Sequence, residues 1–104
     1  MTRSRWGFRT IAALEDHFAW HGDELGVADI EEYGRQAFTL FNLRIDENWR
    51  ECEQTLGRVR YHFVTQEVLY LSKDGQFINS YFRKSARLTD RANNAAWFRN
   101  KCRQ

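Results

Sequence analysis

Proline is absent from this 104-residue chain. That excludes a cis-proline turn, a proline-closed strand and a polyproline linker. Cysteine occurs twice, as Cys52 and Cys102. Two are too few for a disulfide framework or a cysteine-based metal motif. Compartment rules favour two free thiols in a reducing cytoplasm, with a bridge from the tail to the middle as the alternative. The six glycines are scattered, so no glycine-rich phosphate loop is present. No apolar run approaches the ~20 residues of a membrane span. The basic start, Met1-Thr2-Arg3-Ser4-Arg5, lacks a following apolar signal core because Glu15 and Asp16 interrupt it. Stable membrane association is therefore not expected.

What is present is aromatic and unevenly charged. Aromatic residues make up 15% of the chain, enough for a packed core rather than disorder. The net charge of +2 conceals segregation. Residues 1–14 carry +3, residues 15–53 carry −8, and residues 54–104 carry +7. Arginine supplies 13 of the 16 bases, and its planar fork suits phosphate oxygens. A basic C-terminal half is what a polyanion-binding surface needs. The bland alternative is a solvated surface whose two halves attract each other.

Hydrophobic spacing predicts a helix over Ile11 to Leu25, with Thr10 as N-cap and Gly22 or Gly26 as its end. Ile11, Leu14, Phe18 and Leu25 form one stripe. At about 100° per residue His21 falls inside it and His17 on its edge. A second helix is predicted over Ile30 to Phe41, opened by Asp29 and Glu32 and buried through Ile30, Tyr33, Ala37, Leu40 and Phe41. Residues 43–57 read as a short helix or an irregular link, with Ile45, Trp49 and Cys52 on one face.

From Arg58 the period changes to two. Arg58–Phe63, Val68–Leu71 and Phe77–Phe82 read as strands, with Lys73-Asp74-Gly75 as a turn. Thr89 to Cys102 reads as a third helix, weakened by Asn93-Asn94. The expected class is α+β. Two N-terminal helices would pack on one face of a three- to four-stranded antiparallel sheet within a single domain spanning 1–104.

The chemistry centres on His17 and His21, two of three histidines, four apart on one helix face. The glutamate of a H-E-x-x-H zinc motif is missing, because Phe18 stands there. No metal and no cofactor is expected. Cutting RNA without metal needs a base for the 2′-hydroxyl, an acid for the leaving oxygen and donors for the charge on phosphorus. His17 and His21 are the acid/base candidates. Arg58, Arg60, Arg83, Lys84 and Arg87 are cationic candidates, and Ser80 and Tyr81 are hydroxyl donors. Tyr61, Tyr81 and Phe82 are candidate base platforms. The competing readings are a hydrogen-bonded core histidine and strand aromatics that serve packing alone.

The run His17-Phe18-x-x-His21-Gly22-x-Glu24-Leu25-Gly26, then Glu32-Tyr33 and Ala37-Phe38, resembles the helical half of a bacterial toxin family. Arg60-Tyr61, then Asp74-Gly75 and Ile78-x-Ser80-x-Phe82, resembles its sheet. The family is the barnase/RelE-like ribonuclease domains at the C-termini of contact-dependent inhibition and other polymorphic toxins. The resemblance covers roughly residues 14–83. It implies metal-independent endoribonuclease action, often on tRNA, leaving a 2′,3′-cyclic phosphate. It also implies a cognate immunity protein or antitoxin, here an acidic one, and action in a bacterial cytoplasm, with delivery as part of a larger secreted toxin as one route. By resemblance His21 is the first catalytic candidate, assisted by His17, and Arg60 and Ser80 hold the phosphate with Tyr81 alongside. Phe77 is one residue extra before Ile78, which leaves Ser80 or Asn79 as the inward residue. A rival reading is a non-catalytic RNA- or protein-binding module, including an antitoxin or immunity role, which would keep the basic surface and not need the histidines.

Overall fold

A computed structural model describes residues 6–43, 47–55, 57–84 and 90–102. It shows the α+β class expected. Helices α1 (Ile11–Leu25) and α2 (Ile30–Asn42) precede strands β1 (Trp49–Gln54), β2 (Gly57–His62), β3 (Glu67–Ser72) and β4 (Ile78–Arg83), and α3 (Arg91–Lys101) follows. The strands form one antiparallel sheet in the order β1-β2-β3-β4.

Each of the first two helices starts where its cap dictates. The Thr10 hydroxyl accepts from the Ala13 amide at 3.1 Å. The Asp29 carboxylate accepts from the Glu32 amide at 2.8 Å, and Glu32 reaches back to the Ala28 amide at 3.1 Å. Helix α1 stops at Gly26, whose φ of 71° lies in the left-handed region. Leu14, Phe18 and Leu25 face the core as the stripe requires, whereas Ile11 is exposed.

Strand β1 replaces the helix or link expected around Trp49 and Cys52. The reason lies in its partner. The register sets Glu51 opposite Arg60 and Glu53 opposite Arg58. A sequence with little apolar content thus becomes a strand through cross-strand charge pairs. Ile45 lies outside the described residues.

The sheet has two covered faces. Phe8, Leu14, Leu25, Val27, Tyr33 and Ala37 pack with Leu69, Leu71, Ile78 and Tyr81 on the α1/α2 face. Val59, Tyr61 and Val68 pack with Phe98 on the other. The third helix therefore lies across the sheet from the first two, giving three layers where a single helical layer was expected. Thr89 lies outside the described residues, and Asp90 stands at the N-cap without a side-chain cap bond. Cys52 and Cys102 form a disulfide that joins β1 to the end of α3. This corrects the expectation of two free thiols: once α3 folds over that face, the two Cα atoms stand 5.6 Å apart, within bridging range.

The edge strand β4 is shielded on two levels. The Ile78 amide donates to the Gly7 carbonyl at 2.8 Å, where Gly7 has a φ of 90°. A Cβ there would stand 3.0 Å from Ile78 Cδ1, so both backbone and space call for glycine. The chain then passes through buried Phe8 into α1, which runs along β4. The β3–β4 turn is tied by Asp74, whose carboxylate accepts from the Ser72 hydroxyl at 2.6 Å and the Gln76 amide at 3.0 Å.

Candidate active site

The docking of α1 along β4 brings His17 to Ser80. Ser80 Oγ and His17 Nδ1 are 3.4 Å apart, a long contact between residues 63 apart in sequence. The β4 register explains why Ser80 is available. Tyr70 pairs with Ser80 and Leu71 with Ile78, leaving Asn79 as a bulge residue. Asn79 is exposed, so Ser80, not Asn79, faces α1.

The two histidine rings stack, with centroids 5.9 Å apart and planes 12° apart. His17 also lies 5.9 Å from the Phe8 ring. Burial, and secondarily the neighbouring His21, lower the His17 pKa from 6.5, with Asp16 pulling the other way. The imidazole is therefore neutral at pH 7. His21 is held differently: its Nδ1 lies 2.5 Å from Glu24 Oε1, one helical turn on. Its ring stacks on exposed Trp20 at 5.4 Å and on Phe82 at 5.3 Å. His17 rather than His21 is thus the partner of Ser80. His21 is largely buried, as its place in the stripe predicts, and His17 is half-buried beside it.

Phe82 extends the aromatic run across the strand edge. It stacks on Tyr70 at 5.9 Å and meets Trp97 of α3 edge-on at 6.3 Å. The Lys84 ammonium lies 4.8 Å from the Trp97 ring, and that of Lys101 6.0 Å from it. A cation therefore stands at the α3 end of this run.

Arg60 and Tyr81 are not brought to the histidines. Arg60 faces α2, where its Nε donates to Glu51 at 2.5 Å and Nη1 donates to the Leu40 and Phe41 carbonyls at 3.1 Å. It caps the end of α2, so its guanidinium is already engaged. Tyr81 is fully buried on the same α2 face. Its hydroxyl donates to Glu67. Burial and the Glu67 carboxylate hold it far above the usual phenol range, so it stays protonated. Having one proton, it cannot also donate to Gln36 3.2 Å away, so that amide must offer its NH2. The Tyr33 hydroxyl donates to the Tyr81 carbonyl at 2.6 Å, tying α2 to β4.

The other expected contacts divide in the same way. Arg83 pairs in register with Glu67 and lies on the Tyr81 side. Arg58 is bound by Glu51 at 3.6 Å and Glu53 at 3.4 Å. Tyr61 has no exposed surface and its hydroxyl donates to Gln66, so it is core rather than a base platform. Arg87 lies outside the described residues. His62 is structural: its Nδ1 accepts the Val64 and Thr65 amides at 3.1 and 3.0 Å. Among the described residues no three histidine, cysteine or carboxylate side chains converge as metal ligands. None of the described helices is long and apolar enough to cross a membrane.

A cavity of about 290 Å³ opens between α2 and the sheet, with Tyr81 and Glu67 among its lining residues. Sequence reasoning passed over Trp20, and it carried Glu24 within the quoted motif without assigning it to His21. Both were readable as helix neighbours of His21, Glu24 at i+3 and Trp20 beside it. No protein-family model, no curated protein and no solved structure matches this chain.

Proposed function

We propose that this chain is a metal-independent endoribonuclease toxin domain. It cleaves RNA, with tRNA the first substrate to examine, to a 2′,3′-cyclic phosphate end, and a cognate immunity protein or antitoxin restrains it. The observation that carries this reading is the His17–Ser80 contact with His21 stacked beside it. Two imidazoles and a hydroxyl, each partly exposed, come together there.

Neutral His17 donates its Nδ1 proton to Ser80 Oγ and keeps a lone pair on Nε2. That nitrogen takes the proton of the 2′-hydroxyl, and the 2′-oxygen attacks phosphorus. The P–O5′ bond breaks, and His21, held through Nδ1 by Glu24, gives its Nε2 proton to the leaving oxygen. The Ser80 hydroxyl proton is then free to bond a non-bridging oxygen as charge develops.

Wild-type protein is expected to cut tRNA or total RNA in EDTA. His17→Ala and His21→Ala should each lower the rate roughly 100- to 10,000-fold. Full activity in His17→Ala would sink the site. Unimpaired growth of cells expressing the chain alone would argue against a toxin.

A non-catalytic RNA- or protein-binding module, including an antitoxin or immunity role, is the second reading. It is favoured by the engagement of Arg58 and Arg60 in internal ion pairs, which removes two cations from the phosphate. Salt-sensitive binding without cleavage products would select it.

A further inference from the structure

Trp20 is 78% exposed, far more than any other exposed large apolar side chain described. Its position is not random. The indole lies within 8° of the His21 plane, and His21 lies within 12° of His17. Three near-parallel rings therefore run from His17, beside Ser80, to an indole that is largely exposed. A planar ring laid on the exposed indole continues the stack.

The charges around the stack say which ring fits. Helix α1 contains Glu15, Asp16, Asp23 and Glu24 and no lysine or arginine. All four carboxylate residues are exposed. Asp16 and Asp23 stand four residues before and three residues after Trp20, on its side of the helix. Phosphate is repelled here. The cations Lys84 and Lys101 lie at the other end of the aromatic run, over Trp97. Carboxylates beside an open aromatic face accept hydrogen bonds from an amino group, as they do from the cytosine N4 amine.

We propose that Trp20 stacks an unpaired, amino-bearing base of the bound RNA, that Asp16 and Asp23 select its amino group, and that the backbone phosphates run toward Lys84. This rests on the ribonuclease reading and adds to it a base subsite with a stated preference. Cytosine is favoured over uracil, which shows a carbonyl where cytosine has its amine.

Binding is separated from cleavage with 2′-O-methyl oligonucleotides, which lack the attacking hydroxyl. Oligo-C is expected to bind more tightly than oligo-U and to quench tryptophan fluorescence. Trp20→Ala should weaken oligo-C binding roughly 5- to 100-fold, the range for losing one stacked base. Asp16→Asn with Asp23→Asn should abolish the preference for C over U while keeping the quench. Because Trp20 is so exposed, its variant should keep the wild-type melting temperature, so a lost affinity is not lost folding. Equal binding of oligo-C and oligo-U by wild type, or unchanged binding by Trp20→Ala, overturns the proposal. Trp20-dependent, C-selective binding in a protein that never cuts unmodified RNA upholds this subsite and overturns the ribonuclease reading instead.

Discussion

His17 carries two roles, and its pKa links them. Its neutral form suits the base role, and the burial that keeps it neutral has a cost in acid. The unfolded chain presents a histidine that takes a proton near pH 6.5, whereas the folded one resists it. Between those two values the unfolded state binds more protons, so stability falls as pH falls. The contribution is complete above about 6.5 and is lost as pH drops through the lower folded value. Wild type should therefore lose melting temperature between pH 7 and pH 5 more steeply than His17→Asn. Activity should hold at mildly acidic pH, with its acid limb below 6.5. Parallel melting curves for the two proteins across that range would show that His17 is not held neutral by the fold. Ser80 and Tyr81 add a lesson at the same scale. They are adjacent in a strand, so they face opposite sides, and assigning both to one site contradicts the period of two. That opposition is legible in the residue order alone. Which of the two meets His17 is not, because it depends on the bulge at Asn79.

Among the elements, α1 and α2 were legible almost to their ends because their caps, stripes and stop signals lie within each segment. Strands β2 to β4 were legible through alternation and the Asp74-Gly75 turn. Strand β1 was not, since its identity comes from Arg58 and Arg60 on the neighbouring strand. Helix α3 was anticipated, but its position across the sheet was not, because that depends on the aromatic face of β2 and β3 being open. This helix has no side-chain cap and a weakly apolar face. Phe98 and Trp97 hold it, as do the Asn94 bond to Gln66 at 3.0 Å and the disulfide. The bridge closes a loop of sequence separation 50. The chain-entropy relation puts the gain from such a loop at about 4 kcal/mol. Cys52→Ser with Cys102→Ser, or treatment with a dithiol reductant, should lower stability by up to that amount. Amide protection should be lost first over residues 91–101. Equal protection of α3 in the oxidised and reduced protein would show that packing alone holds it.

For the whole molecule, the charge asymmetry of the sequence is partly spent inside the fold. The acidic segment supplies Glu51 and Glu53, and the basic segment answers with Arg58 and Arg60. The sequence could show two attracting halves and a basic half fit for phosphate, but not which cations serve which purpose. The structure divides them: Arg58 and Arg60 hold β1, β2 and the end of α2, while Lys84 stands exposed over Trp97, at the α3 end of the aromatic run that starts at the histidines. Salt dependence tests that division, because each phosphate contact on a single strand contributes about −0.7 to the slope of log K against log salt. Lys84→Ala should shallow the slope for a 2′-O-methyl oligonucleotide by about 0.7 and leave the melting temperature near wild type. Arg60→Ala should do the reverse. It leaves Glu51 with only the longer Arg58 contact and removes the guanidinium from the Phe41 carbonyl, lowering stability by about 1.5–3 kcal/mol while the slope stays unchanged. A shallower slope in Arg60→Ala with none in Lys84→Ala would move the phosphate path to the α2 face, beside the Tyr81–Glu67 cavity. The histidine edge would then lose its claim to the RNA.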